Sequence, residues 1–313
     1  MVWTMGELLC EIMRPEPDMP LYEADKFLGP YPSGAPAIFI NTVAKLGHSA
    51  GIIGGVGSDD FGKCILSRLN ESGVDCSLVT EYETGSTGVA FVSYFSDGDR
   101  RFLFHFPNTP ATWPVAPEAN KLGENVSYFH IMGCSLMADS VFGDEIIKLM
   151  KALASKGTKI SFDPNIRPEL MKDGYDKVNE VMKYCNVLLP GRAELLMLSG
   201  KSTLEEAVEF CFENPRLEVI VVKDGSRGCI VYSRGETFSL GVHSIDVKDP
   251  TGAGDSFDAA FICGLIEGKS LNDSARMATA AAALNTSAFG PMEGDISRQN
   301  IEKIIKENEL CYK

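Results

Sequence analysis

Short apolar runs alternate with longer amphipathic stretches along most of this chain, and that alternation limits its architecture more than any other feature. The runs at 50–54, 128–132, 159–163, 187–190, 219–223 and 229–232 have the length and composition of strands buried on both faces. Between them, 36–46, 61–72, 141–156, 176–184, 204–213 and 254–267 place apolar residues at i, i+3 and i+4, which predicts helices. The chain therefore reads as α/β, a mostly parallel central sheet with helices on both faces. Two segments depart from this rhythm. Residues 88–106 alternate with period two on either side of Asp97-Gly98, a hairpin signal, and residues 10–33 are Pro-rich without helical periodicity. Together they suggest a small β-sheet beside the main one, the plainer alternative being a surface hairpin.

Composition narrows the function classes. The 313 residues are 44% hydrophobic and 23% charged, ordinary for a globular protein long enough for one large α/β domain. A net charge of −14 argues against a nucleic-acid binder, which needs a basic face. The nine cysteines show no C-x-x-C spacing, so zinc ribbons and thioredoxin-type sites lack support, and buried free thiols are expected. Without an apolar stretch of membrane-spanning length or a leader pattern, a cytoplasmic protein with no membrane partner is expected.

Chemistry concentrates in Asp249-Pro-Thr-Gly-Ala-Gly-Asp-Ser-Phe-Asp258. A turn of small residues there leads into a helix, whose first N–H groups and positive dipole end suit an anion. Gly252 and Gly254 permit close backbone approach to a phosphate, and Asp255 falls in the first turn, placed to accept a proton from a substrate hydroxyl. Asp at this position also serves as a plain helix cap, and the stretch alone leaves both roles open. Gly57-Ser-Asp-Asp-Phe-Gly-Lys-Cys64 approaches a Walker A loop, but Cys64 replaces the metal-binding hydroxyl and two aspartates would repel phosphate.

Several further segments resemble, in the same order along the chain, the ribokinase-like (PfkB-type) carbohydrate kinases. They are Gly6-Glu-Leu-Leu9, Ser33-Gly-Ala-Pro-Ala37, Leu46-Gly47, Gly55-Val-Gly-Ser-Asp-Asp-Phe-Gly62 and Phe162-Asp-Pro-Asn-Ile-Arg167, besides the Asp249 stretch. The resemblance implies a core of residues 1–9, 34–86 and 112–313 with a β-lid of 10–33 and 87–111, and transfer of the γ-phosphoryl group of ATP, with Mg2+, to a sugar hydroxyl. By it Asp255 is the base, and the N–H groups of Gly252, Ala253, Gly254 and Asp255 form the anion hole. Glu194 positions magnesium through water, although Gly191 stands where the family carries Asn. Asp249 and Thr251 match positions that hold potassium in some members. Lys223, Gly225, Gly228 and Asn285 are the implied nucleotide contacts; Lys223 at a strand end is equally readable as a solvated lysine.

On the sugar side the resemblance implies Glu11 at the end of the first strand, Gly34, Asn41, Arg101, Asn108, Asp163 and Arg167. Ile38 takes the place of the usual Asn, and Asn41, one helical turn on, is the expected substitute. The acceptor implied is a ketose or keto-sugar acid. Pocket-side segments look closest to tagatose-type kinases, while Asp163 to Arg167 is shared by fructose and 2-keto-3-deoxygluconate kinases. A sugar- or nucleotide-binding regulator without turnover is the alternative of another class. The alternating apolar faces of Val89, Phe91, Phe102 and Phe104 suggest a homodimer through the lid.

Overall fold

The computed structural model describes residues 1–96, 100–166, 175–307 and 310–311. The chain opens with β1 (Val2–Met5), β2 (Leu9–Met13), β3 (Leu28–Ser33) and α1 (Ala35–Lys45). Next come β4 (Ala50–Gly57), α2 (Asp60–Glu71), β5 (Asp75–Tyr82) and the strands β6 (Gly88–Tyr94) and β7 (Arg100–His105). The middle of the chain forms β8 (Tyr128–Met132), α3 (Gly133–Ala138), α4 (Ser140–Ala154), β9 (Lys159–Asp163), α5 (Tyr175–Met182) and β10 (Cys185–Leu188). It continues with α6 (Arg192–Ser199), α7 (Leu204–Cys211) and β11 (Val219–Lys223). The remainder is β12 (Cys229–Ser233), β13 (Thr237–Leu240), β14 (Val242–His243), α8 (Ala253–Ile266), α9 (Leu271–Thr286), α10 (Arg298–Glu307) and β15 (Leu310–Cys311).

Nine strands make one sheet in the order β13-β12-β11-β10-β9-β8-β1-β4-β5. Pairing is parallel from β11 through to β5, and antiparallel only at β11–β12 and β12–β13. Neighbouring residues on a strand feed opposite layers: Ile52, Val187 and Val221 join the core beneath α1, α8 and α9, whereas Ile53, Leu188 and Ile220 join the one beneath α4 and α7. Burial on both faces is why these strands read as continuous apolar runs. From β1 the chain passes to β4 on one side, and β8 later takes the place on the other. In open α/β sheets such a reversal leaves a crevice at the carboxyl ends of the strands, where ligands bind.

The small sheet has the order β3-β2-β6-β7, with β2–β6 parallel and the other pairs antiparallel. The expected hairpin thus forms as β6–β7, its Asp97-Gly98 turn lying outside the described residues. Residues Leu9–Ser33 supply the other two strands. One expectation is corrected here: the first strand ends at Met5, and Glu11 belongs to β2 of the small sheet. All nine cysteines are free thiols, and no helix among the described residues is long and apolar enough to cross a membrane.

Candidate active site

The crevice expected from the strand order holds a cleft of about 280 Å³. Its lining follows the strand ends. Glu7 comes after β1, Cys134 after β8, Asp163 and Asn165 close β9, Gly191 and Glu194 follow β10, and Lys223 ends β11. The small sheet supplies Glu11, Ser33, Arg100, Phe102 and Phe104 from above, and the turn from Pro250 to Asp255 closes the remaining side.

That turn is shaped by its glycines. Gly252 caps α8 at φ +79°, and a β-carbon on it would lie 2.4 Å from the Pro291 carbonyl, so no other residue fits. Asn285 of α9, expected at the nucleotide, braces the turn by donating from Nδ2 to the Thr251 carbonyl at 2.7 Å. The Ala253 N–H is spent on the Pro250 carbonyl at 3.3 Å, which narrows the expected anion hole to its neighbours. Asp255 follows in the first turn of α8, 8% exposed, with its Oδ1 accepting from Asn165 Nδ2 at 3.4 Å.

Lys223 is neither a solvated lysine nor directed at open space. Its ammonium sits 2.8 Å from Asp163 and 2.9 Å from Asp258, in the cleft wall beside Gly254. Burial alone would lower its pKa, but the surrounding Asp163, Asp258 and Glu194 carboxylates raise it, so it stays charged. Burial alone would likewise raise Asp163, yet the Lys223 ammonium holds it low. Asp258 takes the opposite course: buried and facing Asp163, it is pushed well above the carboxylate range. Glu194 is raised by burial and by Asp163. Its two oxygens accept the backbone N–H groups of Gly191 at 2.6 Å and Ile166 at 2.8 Å, so it closes the α6 N-terminus as well as lining the cleft.

On the opposite wall, Glu11 is 6% exposed. Ser33 Oγ donates to its Oε1 at 2.7 Å, while Oε2 has no hydrogen-bond partner among the described residues. Burial pushes its pKa up to about 7, against the Ser33 hydrogen bond. Gly34 caps α1 at φ +105° against the Glu7 carbonyl and lines the cleft. At the far corner the fully buried Asp249 carboxylate accepts from Tyr94 Oη, Thr251 N and Gly290 N at 2.9 to 3.0 Å, and Arg100 donates to Thr251 Oγ1 at 3.3 Å.

The remaining expectations divide plainly. Arg100, not Arg101, enters the cleft, because β7 alternates: Arg100, Phe102 and Phe104 face in, and Arg101, Leu103 and His105 are exposed. Asn108 is an exposed turn residue at φ +61° and does not reach the site. Asn41 is buried but not brought to the cleft, where Ile38 stands, since three residues fall short of a full turn. Gly225 and Gly228 shape the β11–β12 turn at φ +55° and +93°, away from the cleft lining. Arg167 lies outside the described residues. Sequence reasoning passed over Glu7, Arg100, Asn165 and Asp258. The last two stand inside segments already singled out, and the period-two pattern of β7 carries the signal for Arg100. Asp59, in the Walker-like stretch, caps α2 by accepting from Gly62 N and Thr87 N at 2.8 Å, filling with its own carboxylate the place a phosphate would take.

A helix-borne aspartate behind a glycine turn, facing a polar cleft at the carboxyl ends of a parallel sheet, defines a phosphotransferase acting on an alcohol group. Comparison with known sequences agrees: the profile of the pfkB family carbohydrate kinases matches residues 26–298. The chain belongs to that family. It is 26% identical to Probable fructokinase-4 of Arabidopsis thaliana, covering 98% of this chain and 97% of that one. With Fructokinase-1 of Zea mays it shares 28% identity over 98% of each. Among solved structures it resembles an E. coli protein described as a candidate Ribokinase II, in complex with ATP and Mg2+ (36% identity, TM-score 0.91, 97% and 98% coverage).

Proposed function

We propose that this protein is an ATP-dependent ketose kinase that transfers the γ-phosphoryl group to a primary hydroxyl of a fructose-like sugar. The observation carrying this reading is the placement of Asp255, directly after the glycine turn, across one cleft from the half-unpaired buried carboxylate of Glu11. An acceptor hydroxyl between them loses its proton to Asp255, while the N–H groups of the turn receive the negative charge of the transferring phosphoryl group. Glu11, Gly34, Asp163 and Arg167 are assigned to the sugar, and Glu11 Oε2 gains through a sugar hydroxyl the partner it lacks. Lys223 is assigned to the phosphate side because of its position beside Gly254.

ATP and Mg2+ accompany the E. coli relative at 36% identity, and the nearly full-length plant relatives are named fructokinases. Bound Mg2+ supplies charge neutralisation to the phosphates. No group of three or more His, Cys, Asp or Glu among the described residues is placed to ligate a metal, so Glu194 would hold it through water and the nucleotide. The Asp249 carboxylate forms no ion pair among the described residues, which fits a monovalent cation at Asp249 and Thr251. A keto-sugar acid is the second reading, favoured by the Arg100 guanidinium in the cleft. A homodimer is proposed through the outer face of the small sheet, where Leu103 is 49% and Phe27 38% exposed.

The test is ADP formation from MgATP over a panel of fructose, tagatose, 2-keto-3-deoxygluconate, ribose and adenosine. Fructose-dependent turnover is expected, and Asp255→Asn should lower kcat by roughly 10³-fold with ATP still bound. Unchanged turnover in Asp255→Asn would exclude it as base. ATP binding without turnover on any sugar would favour a regulator.

A further inference from the structure

Asn165 follows β9 and lines the cleft at 6% exposure, with its backbone at φ +38°. Asn tolerates that left-handed conformation better than most side-chain-bearing residues, and glycine adopts it more easily still. The Asn165 N–H donates to Asp163 Oδ1 at 3.0 Å, and its side-chain Nδ2 lies 3.5 Å from Asp163 Oδ2 and 3.4 Å from Asp255 Oδ1. Two carboxylate oxygens on that side require the amide nitrogen there, since a carbonyl oxygen would face two anions. The buried Oδ1 consequently has no hydrogen-bond partner among the described residues. Backbone strain and an unpaired acceptor both work against folding, and such costs gather at functional sites.

Behind Asn165 the arrangement closes on itself. Asp163 is paired with Lys223, and the same ammonium pairs with Asp258, three residues beyond Asp255 on α8. Three elements, β9, β11 and α8, are thereby tied together through the Lys223 ammonium, with the Asn165 amide between Asp163 and Asp255.

We propose that Asn165 is a positioning residue: its amide orients the Asp255 carboxylate, and the Asp163–Lys223–Asp258 brace holds Asn165 in place to do so. The inference rests on the reading of Asp255 as the base. A contact of 3.4 Å is long for a hydrogen bond, as catalytic contacts often are before substrates bind. A fixed donor narrows the orientations open to the carboxylate and favours one productive approach to the hydroxyl.

Asn165→Gly separates this role from a conformational one, because glycine relieves the strain and keeps the turn while removing the amide. We expect kcat to fall roughly 10- to 100-fold with KM for sugar and for ATP within about threefold of wild type. Asn165→Asp keeps the shape and places a negative charge beside Asp255. The acid limb of its kcat/KM profile should move about one pH unit upward, since a neighbouring anion favours the protonated base. Circular dichroism and calorimetric ATP binding verify that each variant is folded. An Asn165→Gly enzyme with kcat within twofold of wild type, or an Asn165→Asp enzyme with an unmoved acid limb, overturns the inference and leaves the kinase reading intact. A wild-type protein without sugar-dependent ADP formation overturns that reading, and this inference with it.

Discussion

Glu11 shows how a single side chain can set function against stability. Its pKa near 7 in the folded chain exceeds the ordinary 4.5, so between those values the folded state holds more protons than the unfolded one. Its contribution is therefore fully present below about pH 4.5 and is lost as pH rises through 7, to a level about 3 kcal/mol lower. Glu11→Gln should accordingly melt close to wild type at pH 5 and above it at pH 8, a difference that thermal unfolding reads directly. Sugar binding should run the other way, with wild-type KM falling through neutrality as the carboxylate ionises and the variant's KM high throughout. The residue scale is also where the sequence was hardest to read. Glu11, Gly34, Asp163, Glu194, Lys223 and Asp255 could be named from their segments and do line the cleft. Arg101 was named one residue out of phase, because parity on a strand is decided by which face meets the core. Asn108 and Asn41 failed for a related reason, since direction depends on helix rotation and turn conformation that residue type alone does not specify.

At the scale of elements, legibility followed burial. Strands enclosed on both sides announced themselves as apolar runs, and β8, β9 and β11 end where expected. Only in three dimensions does the run at 50–54 extend to Gly57, because three of its last four residues are glycines that carry no hydrophobic signal yet pair in register with β5. The half-exposed β5 went unread, and periodicity did not mark the small-residue helix α9, since neither shows a sustained apolar period. The start of α8 was legible, and it tolerates little change. Gly252→Ala combines a left-handed backbone with a clash on the Pro291 carbonyl, so urea unfolding should show a loss of about 3 kcal/mol. At Gly254 the nearest atom to an added β-carbon is Lys223 Nζ at 3.7 Å, and Gly254→Ala should unfold near wild type while its KM for ATP rises.

Across the whole molecule, the small sheet has two faces with different tasks. Phe102 and Phe104 turn into the cleft, leaving Leu103 and Phe27 outward, so the surface proposed for pairing differs from the alternating face that the sequence suggested. Leu103→Asp should shift the protein toward monomer in light scattering, and an unchanged mass would count against pairing through this face. The cleft itself is assembled from segments far apart in sequence: Glu7 to Ile38 on one wall, Pro250 to Asp255 on the other, with the central strands as floor. This has a consequence during synthesis. A nascent chain that has displayed Glu11, Asp163 and even the lysine of β11 still lacks Asp255 and its glycine turn, which follow β11 in the chain. Nor can α8 settle until α9 follows, because Asn285 braces its first turn. The cleft is thus completed only once α9 has been made, and a copy that stops short of Asn285 lacks the brace on the turn that carries Asp255.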